Sequence, residues 1–223
     1  MATAGPMVTP TDADILTLTQ WLSPAYPIGG FAYSHGLEWA IDCGDVSSAA
    51  DVQGWIEDVV KYGTGWNDCL FLFAAFGAVT GDEVAEIDAQ ACAFCASAER
   101  LKETQLLGQA FCDVTAEVWS LDLFQLTYPV AVGVAARMQN LPVALTAKLF
   151  LQGFMGNLVA CATRLVPLGQ TESQRLIRKM TPVCASVAEE AMNADLNDLR
   201  STTFLPDIAS MRHETQYSRI FRT

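Results

Sequence analysis

Charge is what this chain has least of. Only 17% of its 223 residues are Asp, Glu, Lys or Arg, against about 25% in an average soluble protein. Histidine is scarcer, with His35 and His213 the only two. General acid–base chemistry most often uses histidine, so the catalytic inventory is thin. Gly29-Gly30 belongs to neither a G-x-G-x-x-G nor a Walker A loop, and G-x-S-x-G and H-E-x-x-H are missing. Glu189 and Glu190 are adjacent and cannot face each other on a helix, so they read as a solvated face. No segment alternates with period two and no Asn-Gly or Asp-Gly occurs, which argues against hairpins. The longest weakly polar run, 149–163, lies between Lys148 and Arg164 and contains Gln152 and Asn157. It falls short of the roughly 20 residues a bilayer needs. The first ten residues have no basic stretch followed by an apolar one, so no signal peptide is expected.

Apolar residues are abundant, at 51%, and the mean hydropathy is +0.24. With no span expected, that surface must be hidden in a core or against partners. The net charge of −12 disfavours a phosphate backbone, so nucleic acid is not an expected partner. Seven irregularly spaced cysteines do not make a disulfide framework and suit reduced thiols in the cytoplasm. No linker rich in Gly, Ser or Pro divides the chain, which predicts one domain over 1–223.

Helical periodicity dominates and predicts an all-α fold of about ten helices around a central apolar one. The first begins near Thr11 and ends before Pro24; 23–30 is a connector held by two prolines and two glycines. Further helices are predicted over 34–43, from Ser47 or Ser48 to Tyr62, and over 66–79, 83–95, 97–119 and 128–139. Pro142 fits the first turn of a helix to Leu165, apolar nearly all round. Gly153, Gly156, Ala147 and Ala160 would let another backbone approach it, within the domain or across a subunit interface. Thr171 and Pro182 are read as the starts of two more helices, and Pro206 opens the C-terminal segment.

Few residues suggest chemistry. His35 is either a metal or interface contact, or a locally bonded residue at a helix start. Cys92-Ala93-Phe94-Cys95 is either a metal or redox pair, or two thiols packed on one helical face. The C-terminus differs in kind: from Arg212 onward it carries three arginines and one glutamate. Tyr217 and Phe221, four apart, would share a face on a helix. The segment reads as a docking element, rich in residues common at interface hot spots, or as a frayed end.

Two segments carry a resemblance. Residues 22–40, with Pro27-Ile28-Gly29-Gly30-Phe31 and Gly36-Leu37-Glu38, resemble the N-terminal signature of the urease accessory protein UreF. His213-Glu214-Thr215-Gln216-Tyr217-Ser218-Arg219 with Ile220-Phe221-Arg222 is similar to that family's ending. Arg164-Leu165-Val166-Pro167-Leu168-Gly169-Gln170 and the region from Glu103 to Phe111 match more weakly. The resemblance implies an all-α homodimer without catalysis or cofactor. It would bind UreD (also called UreH), recruit the GTPase UreG, help deliver nickel to apo-urease and regulate GTP hydrolysis. The implied partner-binding residues are Arg212, His213, Glu214, Tyr217, Ser218, Arg219, Phe221, Arg222, Glu38, Arg164, Gly29, Gly30, Phe31 and Tyr33. Residues 207–223 would form a docking segment, mobile until UreD binds, and 1–10 a flexible start. Glu38 and Arg164 would lie on the UreG-facing surface; relatives often carry Lys in place of Arg164, which alters hydrogen-bond geometry. No metal site is expected, and His35 and His213 are the candidates for one. Relatives often carry Gln in place of His35. The competing functions are a metallochaperone that itself holds nickel through these histidines and thiols, and a structural helical protein unrelated to urease.

Overall fold

A computed structural model describes residues 9–222. Among them there are helices and no strand. The helices are α1 (Asp12–Trp21), α2 (Leu37–Asp42), α3 (Ala49–Tyr62), α4 (Thr64–Gly77), α5 (Gly81–Ala93), α6 (Ala98–Trp119), α7 (Tyr128–Met138), α8 (Val143–Leu165), α9 (Gln170–Ala191) and α10 (Phe204–His213), with 3-10 turns at Gly30–Ala32 and Leu196–Asp198. The expectation for 1–10 falls mostly on residues 1–8, outside the described residues.

Local chemistry sets many helix starts. Thr11, Ser48 and Thr80 each close a capping box with Asp14, Asp51 and Glu83, satisfying amide groups that the first turn leaves open. On α3 the apolar residues Val52, Trp55, Ile56, Val59 and Val60 recur at helical spacing and are buried. α4 is apolar nearly all round and packs against α7. Gly133 permits this approach, since a Cβ there would lie 2.4 Å from the Leu72 carbonyl oxygen. α8 touches α1, α2, α3, α4, α7 and α9, the place expected of a central apolar helix. At 23 residues it exceeds the weakly polar run, because Lys148 and Arg164 lie inside it, and it has the length and hydropathy of a membrane span. One side of α8, with Leu145, Leu149, Gln152, Gly153 and Gly156, is only half-buried.

Several boundaries differ from expectation. The second helix begins at Leu37, because His35 (φ 52°) and Gly36 (φ 74°) take left-handed conformations that interrupt a helix from Ser34. Pro142 is the residue before α8, not part of its first turn. The two helices expected after Thr171 and Pro182 are one, α9, with Gly169 at its cap and Pro182 inside. An internal proline costs about 3 kcal/mol. Here Pro182 and Arg178, whose carbonyl loses its donor, are both exposed, so water can satisfy the carbonyl. Burial of Leu176, Met180, Cys184 and Val187 on the opposite face offsets the cost.

The path to α10 is fixed by α4. The Trp66 indole donates to the Asp198 carbonyl (2.9 Å), and Asn67 pairs with the Arg200 backbone through two 2.8 Å bonds. The Arg200 guanidinium stacks 3.5 Å from the Trp66 ring. α10 then lies across Gly36 and α6, with Ser210 and Ser97 hydroxyls 2.7 Å apart.

Candidate functional site

The sequence-predicted residues come together where the C-terminal segment folds back on the connector and on α2, α6 and α8. α10 ends at His213, and 214–222 form turns. Tyr217 and Phe221 therefore do not share a helical face. Tyr217 is fully exposed, and Phe221 is buried, with the Arg164 guanidinium 5.7 Å from its ring centroid. The spacing was compatible with a helix, but tertiary hydrogen bonds to α2 and the connector capture the backbone instead.

Glu38 organises this capture. The helix beginning at Gly36 puts it in the first turn of α2, and it is only 5% exposed. Its Oε1 accepts the Ile220 amide at 2.6 Å, and its Oε2 accepts the Phe221 amide at 2.9 Å. The same Oε2 lies 3.1 Å from Nε2 of His213. Glu38 is thus covered by the tail and is not a surface charge, as the resemblance had implied; Arg164 is exposed. His213 is fully buried, and its Nδ1 lies 2.7 Å from Oε2 of Glu99. Oε1 of Glu99 accepts from Arg219 at 2.6 Å. The Arg222 amide donates to the Ala32 carbonyl at 2.7 Å, and its side chain hydrogen-bonds the Tyr33 hydroxyl. Burial raises the Tyr33 phenol above its ordinary range, against the lowering effect of that bond. Glu214 accepts the Ala98 amide at 2.8 Å, capping α6 from a distance with a charge its dipole favours.

Around this buried network the surface is apolar and basic. Phe204, Leu205, Ile208 and Met211 form an exposed stripe on α10, and Tyr217 and Ile220 are exposed in the turns that follow it. Arg212, Ser218, Arg219 and Arg222 are exposed in the same stretch of chain. A groove of about 430 Å³ runs between Glu38, Asp42, Leu165, Gln216, Ser218 and Ile220. Phe31 is 60% exposed, on the turn that follows Gly29 (φ 76°) and Gly30, whose missing Cβ leaves room for the Asn157 side chain.

A second polar cluster lies beneath the connector. His35 Nε2 is 2.8 Å from Glu103, and Arg100 forks onto both oxygens of Asp68. Burial raises the Asp68 carboxyl, with Arg100 opposing it; the arginine itself stays above its usual range because Asp68 and Glu103 outweigh its own burial. The cluster borders a cavity of about 60 Å³. Among the described residues no three His, Cys, Asp or Glu side chains are grouped to hold a metal. Burial pushes the thiols up, Cys95 to about 11 and Cys161 to about 12. Cys95 lies beyond the end of α5 and donates to the Ala91 carbonyl at 3.3 Å. Sequence reasoning missed Glu99 and the Asp68–Arg100–Glu103 set, since nothing local marks a residue whose partners are tens of positions away.

Residues 46–181 match the UreF family model. The chain is 57% identical over 217 residues to the urease accessory protein UreF of Ruegeria pomeroyi, covering 97% of this chain and 100% of that protein. It is 50% identical over 213 residues to that of Roseobacter denitrificans, covering 96% and 95%. It is 42% identical over 234 aligned positions to that of a Rhodopseudomonas palustris strain, covering 100% and 99%.

Proposed function

This chain belongs to the UreF family, and from that premise we propose that it is a non-enzymatic scaffold of urease maturation. In this reading it bridges UreD and the GTPase UreG in the cytoplasm, regulates GTP hydrolysis and helps pass nickel to apo-urease. The observation that supports it most is the C-terminal segment, where the exposed apolar stripe of α10 is followed along the chain by exposed Tyr217, Ile220 and arginines. Exposed apolar groups concentrated in one segment, with arginine and tyrosine among them, suit docking of a partner.

The half-buried side of α8 supports the homodimer. Leu145, Leu149, Gln152, Gly153 and Gly156 stay half-buried there in the single chain, a partly apolar face that a second copy would cover. Nickel carriage by the chain itself is less well supported, because His35 and both nitrogens of His213 already face carboxylates.

The test is co-purification with UreD and UreG of the full chain and of a chain ending at Met211. The shortened chain should keep its helical circular dichroism, since Phe221 is the one buried apolar residue it loses, and should lose both partners. Undiminished capture of both would refute the reading.

A further inference from the structure

The buried imidazole of His213 faces two carboxylates at once, Glu38 from α2 and Glu99 from α6. Each carboxylate also accepts from the tail: Glu38 from the Ile220 and Phe221 amides, Glu99 from Arg219. A carboxylate serving as acceptor to these donors has no hydrogen to offer the ring. With both glutamates ionised, both ring contacts need a hydrogen on nitrogen. With two N–H groups the ring cation and Arg219 balance Glu38 and Glu99. A singly protonated ring fills the same space but leaves one contact as two opposed lone pairs. It also leaves Glu38, which is buried, and Glu99, which is half-buried, facing Arg219 as their shared cation. Of the other charges nearby, Glu214 is engaged at the Ala98 amide and Arg212 is exposed on α10, while Lys102, Glu103 and Arg222 line the groove beside Glu99 and Arg219 and none of them reaches the ring.

We propose that His213 is a positioning residue, held as a doubly protonated imidazolium that ties α2 to α6. By fixing both carboxylates it sets Arg219 and the 220–221 backbone in the form a partner meets. This deepens the docking reading and rests on it for its biological meaning. Buried, fully satisfied polar networks specify one arrangement of the groups they join. Here the arrangement specified is that of the tail.

The experiment uses the free full-length chain labelled with ¹⁵N-histidine. With two histidines in the chain, the variant His35→Gln identifies the His213 signals. The expected spectrum at neutral pH shows both His213 ring nitrogens protonated; a single-tautomer pattern overturns the proposal. In His213→Asn the Ile220 and Phe221 amides should exchange at least tenfold faster, while amides of α4 and α7 keep their rates. Unchanged exchange at 220 and 221 removes the positioning role. If that variant does not fold, the ring spectrum of the unsubstituted chain decides alone. Both readouts come from the chain without partners, so their failure is separate from a failed co-purification.

Discussion

Gly36→Ala isolates the seat of α10 on α2. Gly36 has φ of +74°, and a Cβ there would lie 2.5 Å from the Ser210 amide nitrogen and 2.8 Å from the Ala209 carbonyl carbon. Both are helix backbone and cannot swing aside. To restore ordinary contact beyond 3.4 Å, α10 must retreat by about 1 Å. The left-handed conformation costs a residue with a Cβ about 1–2 kcal/mol, and forced overpacking adds about 1–3 kcal/mol. The combined penalty, roughly 2–5 kcal/mol, raises opening of this seat at least about thirtyfold, at 1.4 kcal/mol per tenfold. The same movement draws His213 away from Glu38, at present 3.1 Å from its Nε2, so the tail loosens with the helix. Hydrogen exchange read by mass spectrometry should show faster exchange over 204–222, with α4 and α7 unaffected. Wild-type exchange across 204–222 would refute the claim that α2 holds α10 through this contact.

Three more perturbations follow from the same geometry. Glu38→Ala strips the acceptor from the Ile220 and Phe221 amides and from His213; removing one partner of a buried charged pair costs about 3–5 kcal/mol, so limited proteolysis should cut within 214–222 while the wild type resists, and equal resistance would count against the network. Arg100→Met strips buried Asp68 of the guanidinium that forks onto it; a loss of about 3–5 kcal/mol should lower the melting temperature by about 10 °C, and a melt within a degree of wild type would show that the cluster is not structural. The Glu83 carboxyl is held below the usual range first by the Val79 amide and then by the Thr80 amide. A group depressed in this way stabilises α5 above the ordinary carboxylate range, and that contribution is lost as pH falls through the depressed value; NMR shifts of those amides should titrate in acid and stay flat in Glu83→Gln.

Much of the fold was legible because its signals are local. Ser48 with Asp51 and the buried stripe of α3 mark that helix, and the apolar run of α4 marks its burial. The site was legible as a set of residues but not as a shape. Tyr217 and Phe221 stand four apart whether or not the chain is helical, and only the amide-accepting Glu38, far away in sequence, decides that it is not. Glu38 itself looks like a surface charge until the tail that covers it is placed. Pro182 reads as a helix start because proline suits a first turn. Its place inside α9 depends on which face of that helix meets water.

The central claim is that the docked C-terminal segment is a partner surface. Hydrogen exchange of the full chain, alone and saturated with UreD, tests it most directly. Protection should appear over 204–222 and over the connector around Phe31 to Glu38. Protection confined to other helices, with 204–222 exchanging as in the free chain, would contradict it.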